Sequence, residues 1–461
     1  MGLMIRRCHL ILADDPTGSR RVYDRQMTSP VRFADVTRHV LPGLLASLAI
    51  LAAGFLWLRP PPMPLTHNAY IWQREWTDSI RDALQRNQPL IAEWAALAAE
   101  VEFRANAAPR VARVALDYAV LRDSGRPISF AIRVAPYSGS FDRTRPESRF
   151  LLELAGDILK TARQHGIEPA ALHLDFDAAT RQLDGYRLWL AALREAIAPT
   201  PLVFTALPTW LNSAAFARLA QAAASYVLQV HSWEAPKTPD QSPTLCDPES
   251  AKRAIAQAAR LNRPFLVALP TYGYRAWFDG QSRLLGLSAE GPALTAAGHA
   301  QVREVRADPV EMAGLVRWLD SQQFESLRGV IWYRLPLPED RLSWNERTWQ
   351  TVMRGQAPAA RTALKLEKPA AGLIEVVLRA TGDADSLLNQ PVQLDWRQAR
   401  LIAADGLAGF TIQRIGSDAL RFQPPAPPVL RLAPGQQILI GWLRFHHLPE
   451  ISAHVDTSPA R

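Results

Sequence analysis

Cysteine is almost missing from this chain of 461 residues: only Cys8 and Cys246 occur, with a long apolar run between them. A disulfide framework is thereby excluded, and neither thiol has the neighbouring Cys or His of a zinc site. Blocks of like charge are also absent. The formal net charge of +8 comes from arginines scattered among Asp and Glu, not from the clustered stripe of a nucleic-acid reader, so nucleic-acid binding is not expected. There is no Walker loop, no dinucleotide fingerprint and no GxSxG elbow, and no cofactor or metal is expected. No internal repeat is visible. At 48% hydrophobic and 21% charged residues the composition is that of a globular protein, which excludes disorder for the bulk of the chain.

One long hydrophobic run is present. Residues 40–58 read VLPGLLASLAILAAGFLWL, without a charge over 19 positions, just enough to span a hydrocarbon core of about 30 Å. A secretory signal core is shorter and ends in small residues, whereas this run ends in FLWL followed by RPPP. Seven arginines precede the run (Arg6, Arg7, Arg20, Arg21, Arg25, Arg32 and Arg38), and only Arg59 follows closely. The positive-inside rule then places the N-terminus in the cytoplasm. The expectation is a disordered tail over 1–39, a single transmembrane helix over 40–58 and a proline-rich spacer over 59–66. The main body would lie in the periplasm of a bacterium, held to the inner membrane.

Between 67 and 355, short apolar runs alternate with amphipathic helical patterns, the signature of βα units and a parallel sheet. The runs begin at 69 (AYIW), 112 (ARVAL), 128 (ISFAI), 171 (ALHLDFD), 202 (LVFTAL), 226 (YVLQV), 265 (FLVAL) and 329 (GVIWY). Helices are predicted over 149–165, 185–197, 213–224, 248–261 and 310–322. Eight runs predict an α/β fold, a (β/α)8 TIM barrel. A doubly wound open sheet would need a glycine-rich turn after its first strand, and none is there. Residues 363–448 instead show short strand patterns between turn clusters, predicting a small β-sandwich. Residues 449–461 are expected to be a disordered tail.

The segment LHLDFD at 172–177 is the most informative. On a strand, alternate residues share a face, which groups His173, Asp175 and Asp177. Three polar groups on the inner face of a buried strand are costly without partners, and at a C-terminal strand end they read as a site. Repulsion between neighbouring carboxylates would raise one pKa and create a proton donor beside an ionised neighbour. The plainer reading makes Asp177 a helix N-cap. Glu234 is a reserve acid. Trp72, Trp210, Trp233, Tyr272, Tyr274 and Trp332 fall near predicted strand ends, where aromatic faces could stack on sugar rings or simply fill the core. His231 lacks the spaced partners of a metal site and reads as structural.

These motifs, in their order along the chain, resemble the family-18 chitinases and their relatives. The strand at 172–177 is similar to their fourth strand, which ends Asp-x-Asp-x-Glu; in one register His173, Asp175 and Asp177 fall on those acids. ALPTYGY at 268–274 is similar to their seventh strand and LRGVIWY at 327–333 to their eighth, whose tryptophan floors the sugar site. The strand LDFDA with the downstream TALPTW also resembles a bacterial domain-of-unknown-function family related to glycosidases. The resemblance implies a glycoside hydrolase acting on an envelope or extracellular polysaccharide. Asp177 would donate the proton, Asp175 would orient an N-acetyl group attacking in a substrate-assisted reaction, and His173 would contact substrate. Asp in place of Glu withdraws the carboxyl by about 1.5 Å, and a misplacement of about 1 Å can cost 100-fold. In the other register Ala179 replaces the glutamate. The alternative is therefore an inactive glycan-binding or scaffold barrel.

Overall fold

The computed structural model describes residues 65–104, 107–232, 236–241, 243–289, 301–425 and 430–455. The tail, the apolar segment 40–58 and most of the spacer lie outside them. Among the described residues no helix is long and apolar enough to cross a membrane.

In chain order the elements are β1 (His67–Ile71), α1 (Asp78–Asn87), β2 (Trp94–Glu102), β3 (Arg110–Arg113), α2 (Tyr118–Asp123), β4 (Ile128–Val134), α3 (Pro146–Gln164), β5 (Pro169–Phe176), α4 (Leu183–Ala196), β6 (Leu202–Ala206), α5 (Ala214–Leu219), β7 (Ser225–Gln229), α6 (Pro248–Ala259), β8 (Phe265–Pro270), β9 (Gly273–Phe278), β10 (Leu284–Ser288), β11 (Gln301–Arg306), α7 (Pro309–Ser321), β12 (Leu327–Tyr333) and α8 (Glu346–Met353). Eight of the strands run parallel in the order β1-β12-β8-β7-β6-β5-β4-β2, and β1 pairs with β2 to close the barrel. The strands β10-β9-β11 form a separate antiparallel sheet inserted after β8. Helix starts follow from local chemistry: Asp247 and Asp308 accept backbone N–H bonds at the N-termini of α6 and α7, each followed by proline.

One expected strand is corrected. The run at 112–116 is not a barrel strand; part of it forms β3, which pairs antiparallel with the far end of β2. The second barrel strand is β2, whose sequence WAALAAEVE carries four alanines and is buried on both faces along most of its length. Alanine carries no strand preference, so the period that marks the other strands is missing there.

Inside the barrel, Ala95, Ala131, Ala171 and Ala268 leave room that Tyr70 of β1 and Trp72 just after it fill, with Leu97, Val203, Val227 and Ile331 around them. Outward residues such as Trp94, Phe130, Leu172, Leu174, Phe204 and Trp332 pack in the layer that includes the helices. Gly329 on β12 has φ of +136°, and a side chain there would collide with Thr66.

After α8 come β13 (Thr362–Ala370), β14 (Leu373–Ala380), β15 (Ser386–Leu387), β16 (Val392–Arg397), β17 (Leu401–Gly406), β18 (Thr411–Arg414), β19 (Ala419–Gln423), β20 (Arg431–Leu432), β21 (Gln437–Phe445) and β22 (Glu450–Val455). Two antiparallel four-stranded sheets, β13-β14-β21-β17 and β18-β19-β16-β22, share one core in which Trp396 meets Phe445 edge-on. The disordered tail expected over 449–461 is corrected for residues 450–455, and residues 456–461 lie outside the described residues. Residues Ile451, Ala453 and Val455 alternate toward that core, and β22 pairs with β16 along six residues.

Candidate active site

Alternation along β5 sets the site. Leu172, Leu174 and Phe176 are buried outward, while His173 and Asp175 point into the barrel, and Asp177 follows just past the strand end at the C-terminal mouth. His173 lies deep and is only 3% exposed. Its Nδ1 is 2.9 Å from the Tyr70 hydroxyl and its Nε2 is 3.9 Å from Glu93 Oε1. Glu93 in turn accepts a hydrogen bond from Ser129. Burial lowers the His173 pKa to about 4 and raises that of Glu93 against the pull of Ser129, so His173 is neutral at pH 7. The contact expected between His173 and substrate is corrected: its ring serves a buried polar chain beneath the mouth and is not part of the cavity wall.

Asp175 and Asp177 line one cavity of about 840 Å³. Burial, then repulsion from Asp177, raises the Asp175 pKa to about 6; Arg133 and a hydrogen bond with Thr205 oppose the rise. Asp177 opens into the cavity, and the partial burial of its carboxyl raises its pKa against the attraction of Arg133. The two carboxylates therefore form a pair in which a proton is retained nearer neutrality than on a free carboxylic acid.

One wall is aromatic. Trp72 meets Tyr70 and Tyr333 edge-on at 5.2 Å each, and Tyr272 meets Tyr333 at 5.4 Å. His231 stacks on Tyr333 and lies 3.4 Å from the Tyr272 hydroxyl through Nδ1. Two buried atoms of this wall, Trp72 Nε1 and His231 Nε2, have no hydrogen-bond partner among the described residues, and buried polar atoms of this kind call for a ligand or water. The lining also carries charge: Arg74 holds Glu100 through hydrogen bonds of 2.7 and 3.0 Å, and Arg133 is aligned with Glu100 on the neighbouring strand.

The structure thus brings Asp175, Asp177, Trp72 and Tyr272 together. Three expected aromatic platforms are corrected. Trp210 is 1% exposed, donates its indole N–H to the Ala178 carbonyl at 3.1 Å and packs among Tyr186 and Phe216. Tyr274 on β9 is wholly buried in the outer core. Trp332 faces outward, 3.2 Å from His67 Nδ1 and near Trp344 and Trp349. The reason lies in strand parity, since Ile331 faces into the barrel and Tyr333 lines the cavity. Tyr333 is the aromatic that the sequence reading passed over, and the alternation of β12 was its signal. Tyr70, Glu100 and Arg133 were also missed; Arg133 shares the inward face of its strand with Ala131, and Tyr70 shares its own with Trp72. Trp233 and Glu234 lie outside the described residues.

No curated protein matches the chain. Among solved structures it is similar to the spore cortex-lytic enzyme SleL of Bacillus cereus, at 13% identity over 64% of this chain and 76% of that one, with a TM-score of 0.45. It is also similar to a chitinase of Chromobacterium violaceum (14% identity, 63% and 98% covered, TM-score 0.42) and one of Bacteroides thetaiotaomicron (12% identity, 64% and 96%, TM-score 0.44). Residues 124–338 match the family described as Domain of unknown function (DUF3142), and residues 364–446 match one described as Domain of unknown function (DUF8456). The first match spans most of the barrel and the second most of the domain that follows it.

Proposed function

We propose that this chain is a glycoside-hydrolase-like protein that cleaves an envelope or extracellular polysaccharide in the cavity at the barrel mouth. The observation that carries this reading is the carboxylate pair Asp175 and Asp177, both with raised pKa, facing a wall of Trp72, Tyr272 and Tyr333. A raised carboxyl can protonate a glycosidic oxygen near neutral pH, while an ionised neighbour stabilises the positive charge that develops on the sugar. Asp177, open to the cavity, is assigned as the general acid. Asp175, hydrogen-bonded to Thr205 and within the electrostatic reach of Arg133, is assigned as the stabilising or orienting group. The aromatic faces supply stacking surface for sugar rings. We further propose that residues 40–58 anchor the chain in a bacterial inner membrane with the barrel on the periplasmic side, on the strength of their uncharged length and the arginines before them.

A second reading, a barrel that binds glycan without cutting it, is favoured by the aspartate at the donor position, one methylene shorter than the glutamate of the resembling family. The two are separated by mass spectrometry of products from bacterial and chitin-type oligosaccharides incubated with the full chain and with Asp177→Asn. Cleavage by the wild type that is lost in the variant supports hydrolysis. Retention of glycan by both without products supports binding alone, and neither cleavage nor retention overturns the glycan reading.

A further inference from the structure

Arg133 differs from the other cations of the mouth. Arg74 is held by Glu100 and Arg334 by Asp340, whereas the exposed Arg133 guanidinium makes no hydrogen bond or ion pair with any described residue. Strand register fixes its place: on β4 it is aligned with Glu100 of β2 on one side and with Asp175 of β5 on the other. Charges therefore alternate across three adjacent strands, with the one uncommitted set of donors in the middle. A guanidinium presents its N–H groups as a planar fork that suits a two-oxygen acceptor.

A second cavity of about 250 Å³ adjoins this position, and Glu100 and Arg133 wall both it and the main cavity. Glu102 and Arg110 line its other side. A chain-like ligand that occupies both spaces must cross Arg133. The anion that suits the crossing point carries a single charge, because Glu100 and Asp175 on either side repel each further negative charge. A carboxylate meets that condition better than a phosphate dianion.

Resting on the glycan reading of the main cavity, we propose that Arg133 binds the carboxylate of an acidic sugar, so that the ligand is a uronate-bearing chain lying across Glu100 and Arg133 from one cavity into the other. The test is calorimetric binding to the full chain of galacturonate, glucuronate-containing and mannuronate oligosaccharides, each paired with its carboxyl-reduced counterpart. At least one acidic member should bind about tenfold or more tightly than its reduced partner, and raised salt should weaken that preference. Arg133→Gln should erase the preference, and Arg133→Lys should keep part of it. Equal or better binding of the reduced partners throughout would overturn the acidic-sugar assignment and leave the glycan reading standing. Binding of neither set, nor of neutral chitin-type oligosaccharides, would overturn the glycan reading itself. Should Arg133→Gln fail to fold, the comparison of acidic and reduced partners on the wild type still decides.

Discussion

The Tyr70 hydroxyl lies 2.9 Å from His173 Nδ1 and joins strands on different sides of the barrel, with β2 and β4 between them in the closed order. The same tyrosine walls the cavity, so the polar chain beneath the mouth and the cavity above it share a side chain. Removing the hydroxyl with Tyr70→Phe strands a buried ring nitrogen. Loss of one partner of a buried hydrogen bond costs about 1–3 kcal/mol. Urea denaturation should show a fall of that size with an unchanged slope; a midpoint equal to that of the wild type would mean the bond contributes nothing.

Asp175 predicts a pH-dependent stability of definite sign. Its pKa is near 3.8 in the unfolded chain and about 6 in the fold, so the folded protein binds the proton more tightly. The contribution is fully present below pH 3.8 and is lost as pH rises through 6, by an upper bound of about 3 kcal/mol. Asp175→Asn, uncharged at every pH, should therefore be more stable than the wild type at pH 8, and the difference should vanish toward pH 4. Denaturation midpoints that differ by a constant amount from pH 4 to 8 would contradict this.

The placement of aromatics predicts a split between affinity and stability. Trp332 packs outward against His67, so Trp332→Phe should lower stability by about 1 kcal/mol, as expected for a lost buried hydrogen bond. Oligosaccharide affinity should stay within about twofold, under 0.5 kcal/mol. Tyr333 lies at the cavity, and Tyr333→Leu should weaken the same affinity about tenfold, the equivalent of about 1.4 kcal/mol. Calorimetry with both variants checks the pair, and a larger affinity loss at Trp332 would reverse the parity argument.

Legibility of the fold tracked how strongly each segment carried a period. β6, β8 and β12 announced themselves through β-branched and aromatic runs and β5 through its alternation, and α3, α4, α6 and α7 through apolar stripes, behind a proline start in α3, α6 and α7. β2 was hidden because alanine belongs to no period, although small residues there are what make room for Tyr70 and Trp72 inside the barrel. At the site, the carboxylate pair was legible because it interrupts a buried strand. The aromatics were legible as a set but not individually. Inward or outward is a matter of parity within each strand, and Trp332 beside Tyr333 differs by one residue, which is one face. Arg133 gave no local signal at all, since its meaning comes from Glu100 and Asp175, brought beside it by register on neighbouring strands.

The carboxylate pair also predicts the pH profile of any hydrolysis. The acid that protonates the leaving oxygen must carry its proton, and burial holds the Asp177 carboxyl above the ordinary carboxylate range against the attraction of Arg133. Activity should therefore persist above the pH at which a free aspartic acid is ionised and then fall as pH rises, by about tenfold per pH unit once the proton is mostly lost. Asp175→Asn removes the repulsion between the two carboxylates, so any residual activity should lose its proton earlier and the falling limb should move to lower pH. Asp177→Asn should abolish activity at every pH, because the carboxyl assigned as the proton donor is gone. Initial rates from pH 4 to 8 for the three proteins check both steps. A limb that stays in place in Asp175→Asn would show that the two carboxylates do not titrate as a pair, and retained activity in Asp177→Asn would assign the proton to another group.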